Sequence, residues 1–397
     1  MFNNVWPYLK EVKMDKQQKE NIYKNIGFCI SITFIFGITL LLMLMIKARW
    51  YGFFILAVTV ALLCYLRSKN KLGKWKIRLC WIGAICMAIA TLFISKPYEN
   101  ISLVGTIVSE GIGMVTKLPA YSEKFLNEEK STWKAPDGYE LEKHKLSASV
   151  IELLKTDKDQ EKVIYQLHGG SYLKKLRDIY RYKAVVLSKK SNGAYVASLD
   201  YRVAPEYTFP AALEDALEGW NYLLDLGYKP ENIIIEGDSA GGNLALALSL
   251  KLRDNGMEMP AGIICISPWA DLTEKGDSHQ YNLYLDSSFG IEEGDKKSKP
   301  AVPLTYAGDT DLRNPYLSPV YGNYDKFPPM LILVGSYEVL ESDSITIYKK
   351  AIDAGVDAKL IDQYGMFHVY PFMYNLTPES RSAWKEIEKF MIEFLRT

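Results

Sequence analysis

The stretch "IIIEGDSAGGNLALALSL", from Ile233 to Leu250, restricts the possible folds of this chain more than any other. It begins as a continuous β-branched run, the pattern of a strand covered on both faces. It ends rich in Ala and Leu, which are strong helix formers. The change is compressed into "GDSAG" (Gly237 to Gly241), which leaves no room for a loop. That pentapeptide fits the G-x-S-x-G elbow, a sharp strand-to-helix turn held in strained backbone geometry. Its glycines remove side chains that would collide at the turn. Ser239 would then project above the end of a sheet, at the positive N-terminal end of the helix that starts at Ala240.

The surrounding chain supplies such a sheet. "SASVIELL", "KVIYQLHGG", "AYVASLDYR", "NIIIEGD", "AGIICISPW", "MLILVGSYE" and "AKLIDQY" read as strands. "YRYKAVVLSKKSN", "AALEDALEGWNYLLDLG" and "AGGNLALALSLKLRDNG" read as helices, the last two stopped at Gly227 and Gly256, with more helices near 342–354 and 378–396. Strands alternating with helices predict an α/β fold with a mostly parallel central sheet covered on both faces over residues 139–397. Residues 272–315 interrupt the rhythm with a polar stretch containing Pro300 and Pro303. A segment this long between two strands reads as an insertion with short helices of its own, here part of a cap. Residues 97–138 read as a linker with N-terminal cap helices. Within them "ISLVGTIVSEGIGMVTKL" has helical spacing and reads as a packing helix, the alternative being an interfacial or lid helix.

A serine nucleophile needs a general base, and the base needs a carboxylate to orient it. In a sheet with this elbow the chain order is serine, acid, histidine. Of the four histidines, His144 and His168 precede Ser239, and His279 lies in the insertion ahead of any strand-end acid. His368, in the loop "QYGMFHVYPF" after the last strand, is therefore the expected base. The acid is expected just past a late strand, and "MLILVGSYEVLESDS" offers Glu338 first, with Asp343 as the runner-up. An oxyanion hole needs backbone N–H groups from an earlier loop and from the residue after the serine. "YQLHGGSY" provides that loop, so Gly170, Ser171 and Ala240 are the expected donors, with His168 and Gly169 supporting them.

Residues from about 161 to 370 resemble the hormone-sensitive lipase family of α/β-hydrolases. The resemblance rests on "HGGS" at 168–171, "DYRVAPEYTFPAALEDA" at 200–216, "GDSAGGNLA" at 237–245, "SPWADLT" at 267–273 and "GMFHVY" at 365–370. It implies an α/β-hydrolase fold with a helical cap, and carboxylesterase or lipase activity on acyl esters. Two positions depart from the family pattern. Ser171 stands where the loop usually has a third glycine, keeping the N–H but adding a side chain near the acyl pocket. Glu338 stands where Asp is usual, and its extra methylene still lets it accept the histidine N–H. Plant gibberellin receptors resemble the same family but lack the histidine that is present here as His368.

The N-terminal quarter has a different character. Residues 25–46, 50–66 and 79–95 carry no Asp, Glu, Lys or Arg. About 20 apolar residues cross a bilayer, so the first run spans readily and the other two span with flanking Trp, Tyr, Lys and Arg as anchors. Residues 1–96 are thus expected to form an integral, multi-pass membrane region of about three helices. Five lysines precede the first run, and the 67–78 loop carries Arg67, Lys69, Lys71, Lys74, Lys76 and Arg78. The positive-inside rule places these in the cytoplasm and, with three spans, the catalytic domain outside; if one of the two shorter spans does not insert, the domain stays inside. Basic and acidic residues balance at 47 each, so no nucleic-acid partner is indicated. The five cysteines have no ligand or disulfide spacing, and the reaction requires no cofactor or metal.

The sequence therefore leads to a membrane-anchored serine esterase acting on short-to-medium acyl or acetyl esters through Ser239, His368 and Glu338. An O-deacetylase or lipase on cell-surface or membrane substrates is the first alternative. A catalytically silent hydrolase homologue that binds a ligand is the second. The acyl and alcohol groups and the oligomeric state are not legible.

Overall fold

The computed structural model describes residues 101–116, 131–291 and 302–395, together with Gly37. The chain divides into two compact units, Met1–Glu99 and Asn100–Thr397. Apart from Gly37, the three runs expected to span a membrane lie outside the described residues. Among the described residues no helix is long and apolar enough to cross a membrane.

The second unit is built on one eight-stranded sheet: β1 Tyr139–Lys145, β2 Val150–Thr156, β3 Val163–Leu167, β4 Tyr195–Asp200, β5 Ile233–Asp238, β6 Gly262–Ile266, β7 Met330–Gly335 and β8 Ala358–Gln363. Their spatial order is β1-β2-β4-β3-β5-β6-β7-β8. Only β2 runs against its neighbours, and every pairing from β4 through β8 is parallel. Strands β3, β5, β6 and β7 are buried at every residue, as expected of central strands covered on both faces.

The helices are α1 Leu103–Thr116, α2 Asp178–Lys190, α3 Ala211–Asp225, α4 Ala240–Asp254, α5 Ser278–Tyr281, α6 Glu341–Asp353 and α7 Pro378–Phe394. Helices α3 and α4 pack together, with α4 on β3, β5 and β6 and α6 on β7 and β8, while α2 and α7 pack together with α2 on β3 and β4. Both faces of the sheet are covered, and α4 has twelve buried residues because it lies between the sheet and α3. The helix stops at Asn255, and Gly256 takes φ +69.

One strand was not legible. β1, "YELEKHK", alternates half-buried with exposed residues and has no apolar face. It pairs with β2 over all seven of its residues, Tyr139↔Thr156 to Lys145↔Val150. Its charges suit an outermost strand, where they oppose edge-to-edge association.

The described parts of the 272–315 insertion hold α5 and a 3-10 turn at Leu304–Ala307. α1 lies against this insertion and against the loop that carries His368. The Thr116 Oγ1 hydroxyl donates to Ser287 O at 2.5 Å. At the other end the Glu379 carboxylate accepts from Ser102 N (2.6 Å) and Ser102 Oγ (2.9 Å). A side chain at Gly105 would meet Glu379 Oε2 at 2.9 Å and Met366 Cε at 3.0 Å, so a glycine lets the helix seat this closely.

Candidate active site

The parallel strands aim the loops after β3, β5, β6, β7 and β8 at one end of the sheet, where an open α/β sheet places its ligands. The elbow follows β5. Ser239 has φ 53 and ψ −121, a conformation an L-residue holds only when its surroundings impose it. They do so here: Ser239 N donates to Ile266 O (2.9 Å), and Ser239 O accepts from Trp269 N (3.1 Å). A Cβ at Gly241 would lie 2.0 Å from Leu167 O, and one at Gly237 would lie 2.2 Å from Gly241 O. Both glycines of the pentapeptide are thus required by backbone contact, on opposite sides of the turn.

The loop after β3 lies beside this elbow. Gly170 has φ +124, and Ser171 and Tyr172 follow at φ 57 and 58. Three positive φ values in succession turn the chain sharply, closed by Leu173 N donating to Gly170 O at 2.9 Å. Among the described residues the N–H groups of Gly170, Ser171 and Ala240 donate to no backbone carbonyl. They are available to an anion above the elbow, and the Ser171 side chain is itself buried there.

His168 is fully buried. Its ring stacks on Tyr201 at 4.1 Å and 7°, its Nδ1 lies 3.0 Å from Gly169 O, and its carbonyl accepts from Tyr201 Oη at 2.5 Å. Burial pushes its pKa down to about 4, so the ring is neutral at physiological pH. Gly169 N donates to Tyr180 Oη (2.9 Å), whose hydroxyl donates to Asp238 Oδ2 (3.0 Å). Asp238 Oδ1 accepts from Lys183 Nζ at 2.8 Å, and the same ammonium lies 2.6 Å from Glu236 Oε1. Lys183 is 1% exposed, so the charge beneath the loop is balanced entirely by buried partners. Burial, opposed by Lys183, raises the Glu236 carboxyl to about 7.

The late loops bring His368 and Glu338 together. His368 Nδ1 is 2.8 Å from Glu338 Oε2, leaving Nε2 as the other ring nitrogen. Glu338 is fully buried, and its second oxygen accepts from Ser267 Oγ (2.7 Å) and Gly335 N (2.6 Å). Ser267 Oγ also accepts from Val369 N at 3.1 Å, so one hydroxyl ties the acid to the backbone just after the histidine. Val369 is held at φ 52, unusual for a β-branched residue. Burial opposes protonation of His368, but the Glu338 hydrogen bond and the charges of Glu338, Asp286 and Asp238 outweigh it, and the pKa rises above 6.5. β5 and β7 flank β6, so two strand spacings, roughly 10 Å, separate the elbow strand from the strand that leads into the acid loop.

The remaining candidates are elsewhere. Asp343, the runner-up acid, accepts from Ala270 N (2.9 Å), Asp271 N (2.8 Å) and His279 Nε2 (3.0 Å). It does not bond His368. His279 is therefore paired with Asp343 of α6, tying the insertion to that helix, and His144 lies 3.1 Å from Glu142 on the edge strand. Sequence reasoning missed Tyr180, Tyr201, Ser267 and Phe289. Tyr201 and Ser267 begin or sit inside quoted motifs, "DYR" and "SPW", and that was the available signal. Phe289 had none: its ring packs against His368 at 4.7 Å and 64° through the tertiary fold alone.

A family model described as alpha/beta hydrolase fold matches residues 164–372. An acetyl-hydrolase from Streptomyces hygroscopicus is 36% identical over 232 residues, covering 58% of this chain and 76% of that one. An esterase from Acinetobacter venetianus is 32% identical, covering 60% of this chain and 77% of its own. Among solved structures, an esterase/lipase from an uncultured bacterium is similar with a TM-score of 0.60 at 35% identity, over 73% of this chain and 90% of that one. An esterase of the bacterial hormone-sensitive lipase family is similar with a TM-score of 0.61 at 28% identity, over 72% and 97%.

Proposed function

We infer the reaction from this premise: the chain belongs to the α/β-hydrolase family, in its hormone-sensitive-lipase-like branch, and is a carboxylic ester hydrolase. Ser239 Oγ attacks the ester carbonyl while His368 Nε2 takes its proton. Glu338 accepts the Nδ1–H, which fixes the tautomer and stabilises the imidazolium. The N–H groups of Gly170, Ser171 and Ala240 hold the oxyanion, and His368 returns the proton to the departing alcohol. Water activated by the same histidine then releases the acid and regenerates Ser239. The observation that carries this reading is the 2.8 Å contact between His368 Nδ1 and Glu338 Oε2 beside a strained serine elbow.

Ser239→Ala tests it. The variant, folded by circular dichroism, is expected to lose turnover of p-nitrophenyl acetate and labelling by a fluorophosphonate. Wild-type rates in a folded variant would sink the mechanism.

Two finer points belong to the same proposal. The substrate carries an acetyl or other short acyl group. The acetyl-hydrolase relative and the buried Ser171 side chain support this. An acyl chain-length series tests it against the lipase reading, which requires the long esters to be turned over best. The N-terminal region holds the enzyme in a membrane with the catalytic domain outside. The three charge-free runs and the basic 67–78 loop support that. Protease digestion of sealed vesicles tests it, and a catalytic domain protected inside right-side-out vesicles would overturn the orientation.

A further inference from the structure

The mechanism leaves one buried carboxylate beside the His368–Glu338 pair unused. Asp286, on the insertion, is 3% exposed. Its Oδ2 accepts from Val339 N (2.7 Å), the residue immediately after Glu338. Its Oδ1 accepts from Ser288 N (2.7 Å) and Phe289 N (3.0 Å). Phe289 is the residue whose ring packs on the His368 imidazole. One turn earlier, Asn282 Nδ2 donates to Ser336 O (2.9 Å) and Glu338 O (2.8 Å). Asp286 N in turn donates to Asn282 O (2.9 Å). A single turn of the insertion therefore grips the acid loop on both sides of Glu338 and sets the ring that abuts His368.

This arrangement exceeds what packing requires. Burying a carboxylate is unfavourable unless hydrogen bonds compensate, and here three backbone N–H groups do so. An apolar side chain would fill the same space but leave those three N–H groups without their acceptor. The carboxylate's three partners belong to two segments: one carries Glu338 next to Val339, and the other carries Phe289, whose ring packs on His368.

We propose that Asp286 is a positioning residue for this pair, aligning Glu338 through Val339 N and His368 through Phe289, so that the insertion is part of the catalytic apparatus as well as a cover over it. The proposal rests on the serine mechanism above. The charges that favour the protonated His368 ring are those of Glu338 from the loop after β7, Asp286 from the insertion and Asp238 from the elbow strand. Removing the Asp286 charge takes away one of three anions that stabilise the imidazolium.

The test compares Asp286→Asn with wild type in the full-length protein on p-nitrophenyl acetate, with Ser239→Ala as a separate control. Misalignment acts on the chemical step, so kcat is expected to fall about tenfold to a hundredfold with KM changed less than about twofold. The acid limb of the kcat/KM profile should move to lower pH by about half a unit. Unchanged kcat with an unchanged acid limb in a folded variant overturns the proposal. If Asp286→Asn does not fold, Phe289→Leu carries the test, since it leaves the Asp286 hydrogen bonds in place. A kcat loss of about threefold or more at constant KM then supports the proposal, and wild-type kcat overturns it. Full activity in Ser239→Ala would instead remove the mechanism itself, a distinguishable failure.

Discussion

Glu338→Gln probes the assignment of the acid, and the structure dictates how the amide must sit. Glu338 Oε1 accepts two hydrogen bonds, from Ser267 Oγ and Gly335 N, while Oε2 faces His368 Nδ1. In the variant the amide oxygen has to stay at the Oε1 position, because an NH2 there would confront a backbone N–H and leave it buried and unpaired. The NH2 is therefore driven toward His368, whose Nδ1 must now accept. The ring proton moves to Nε2, the nitrogen that should take the proton of Ser239. An imidazole in that tautomer is not a base toward serine, and the corresponding loss in a serine triad is about ten-thousand-fold, roughly 5 kcal/mol of transition-state stabilisation. The assay is kcat for p-nitrophenyl acetate at neutral pH, with the melting temperature measured in parallel. Asp343→Asn is the control: its Oδ2 can still accept from Ala270 N and Asp271 N, so kcat should stay within about threefold while stability falls by about 1–2 kcal/mol. A loss below about tenfold in Glu338→Gln, with a larger loss in Asp343→Asn, would refute the reasoning.

Gly241→Ala should destabilise the elbow by about 3 kcal/mol or more, since its Cβ would lie 2.0 Å from Leu167 O and 2.6 Å from His168 O, both backbone; a melting temperature equal to wild type would contradict this. Lys183→Met leaves Glu236 and Asp238 buried without their cation and should cost about 3–5 kcal/mol in urea unfolding, a cost below about 1 kcal/mol showing that the ammonium is not what balances them. Activity and stability should respond to pH in opposite directions. His368 acts as a base only when neutral, so kcat/KM should climb as pH rises through its pKa, with a midpoint above 6.5. His368 and His279 both bind their proton more tightly folded than unfolded, so their contribution to stability is complete below 6.5 and is lost as pH rises through the folded values. Glu236, raised to about 7, works in the same direction. Buried His168, lowered to about 4, works the other way only up to about 6.5, so melting temperatures taken from about pH 7 to 8.5 should decline, and a rise over that window would contradict the assignment.

Much of the framework is readable without coordinates because its signals are local. Strand β5, the elbow and α4 follow from one run of residue types, and the continuous apolar strands β6 and β7 follow from burial on both faces. β1 was missed because it has no apolar face and exists only as a partner for β2. Likewise the choice of Glu338 over Asp343 rested on chain order, while the structure separates them by partner: Glu338 meets His368, and Asp343 meets the backbone after β6.

The sequence by itself determined that a serine lies on a glycine-cleared turn between a buried strand and a helix, with a glycine-rich loop before it and a late histidine after it. Sterics and periodicity act over a few residues, so composition and spacing encode them. Only the tertiary structure decided that Phe289 abuts the imidazole and that Asp286 bonds the backbone behind Glu338, and it alone brought Ser267 to bridge acid and histidine loops and Tyr180 to link the oxyanion loop to Asp238. Each of these contacts joins segments far apart in the chain. They exist because parallel strands carry their loops to one end of the sheet, where residues distant in sequence become neighbours.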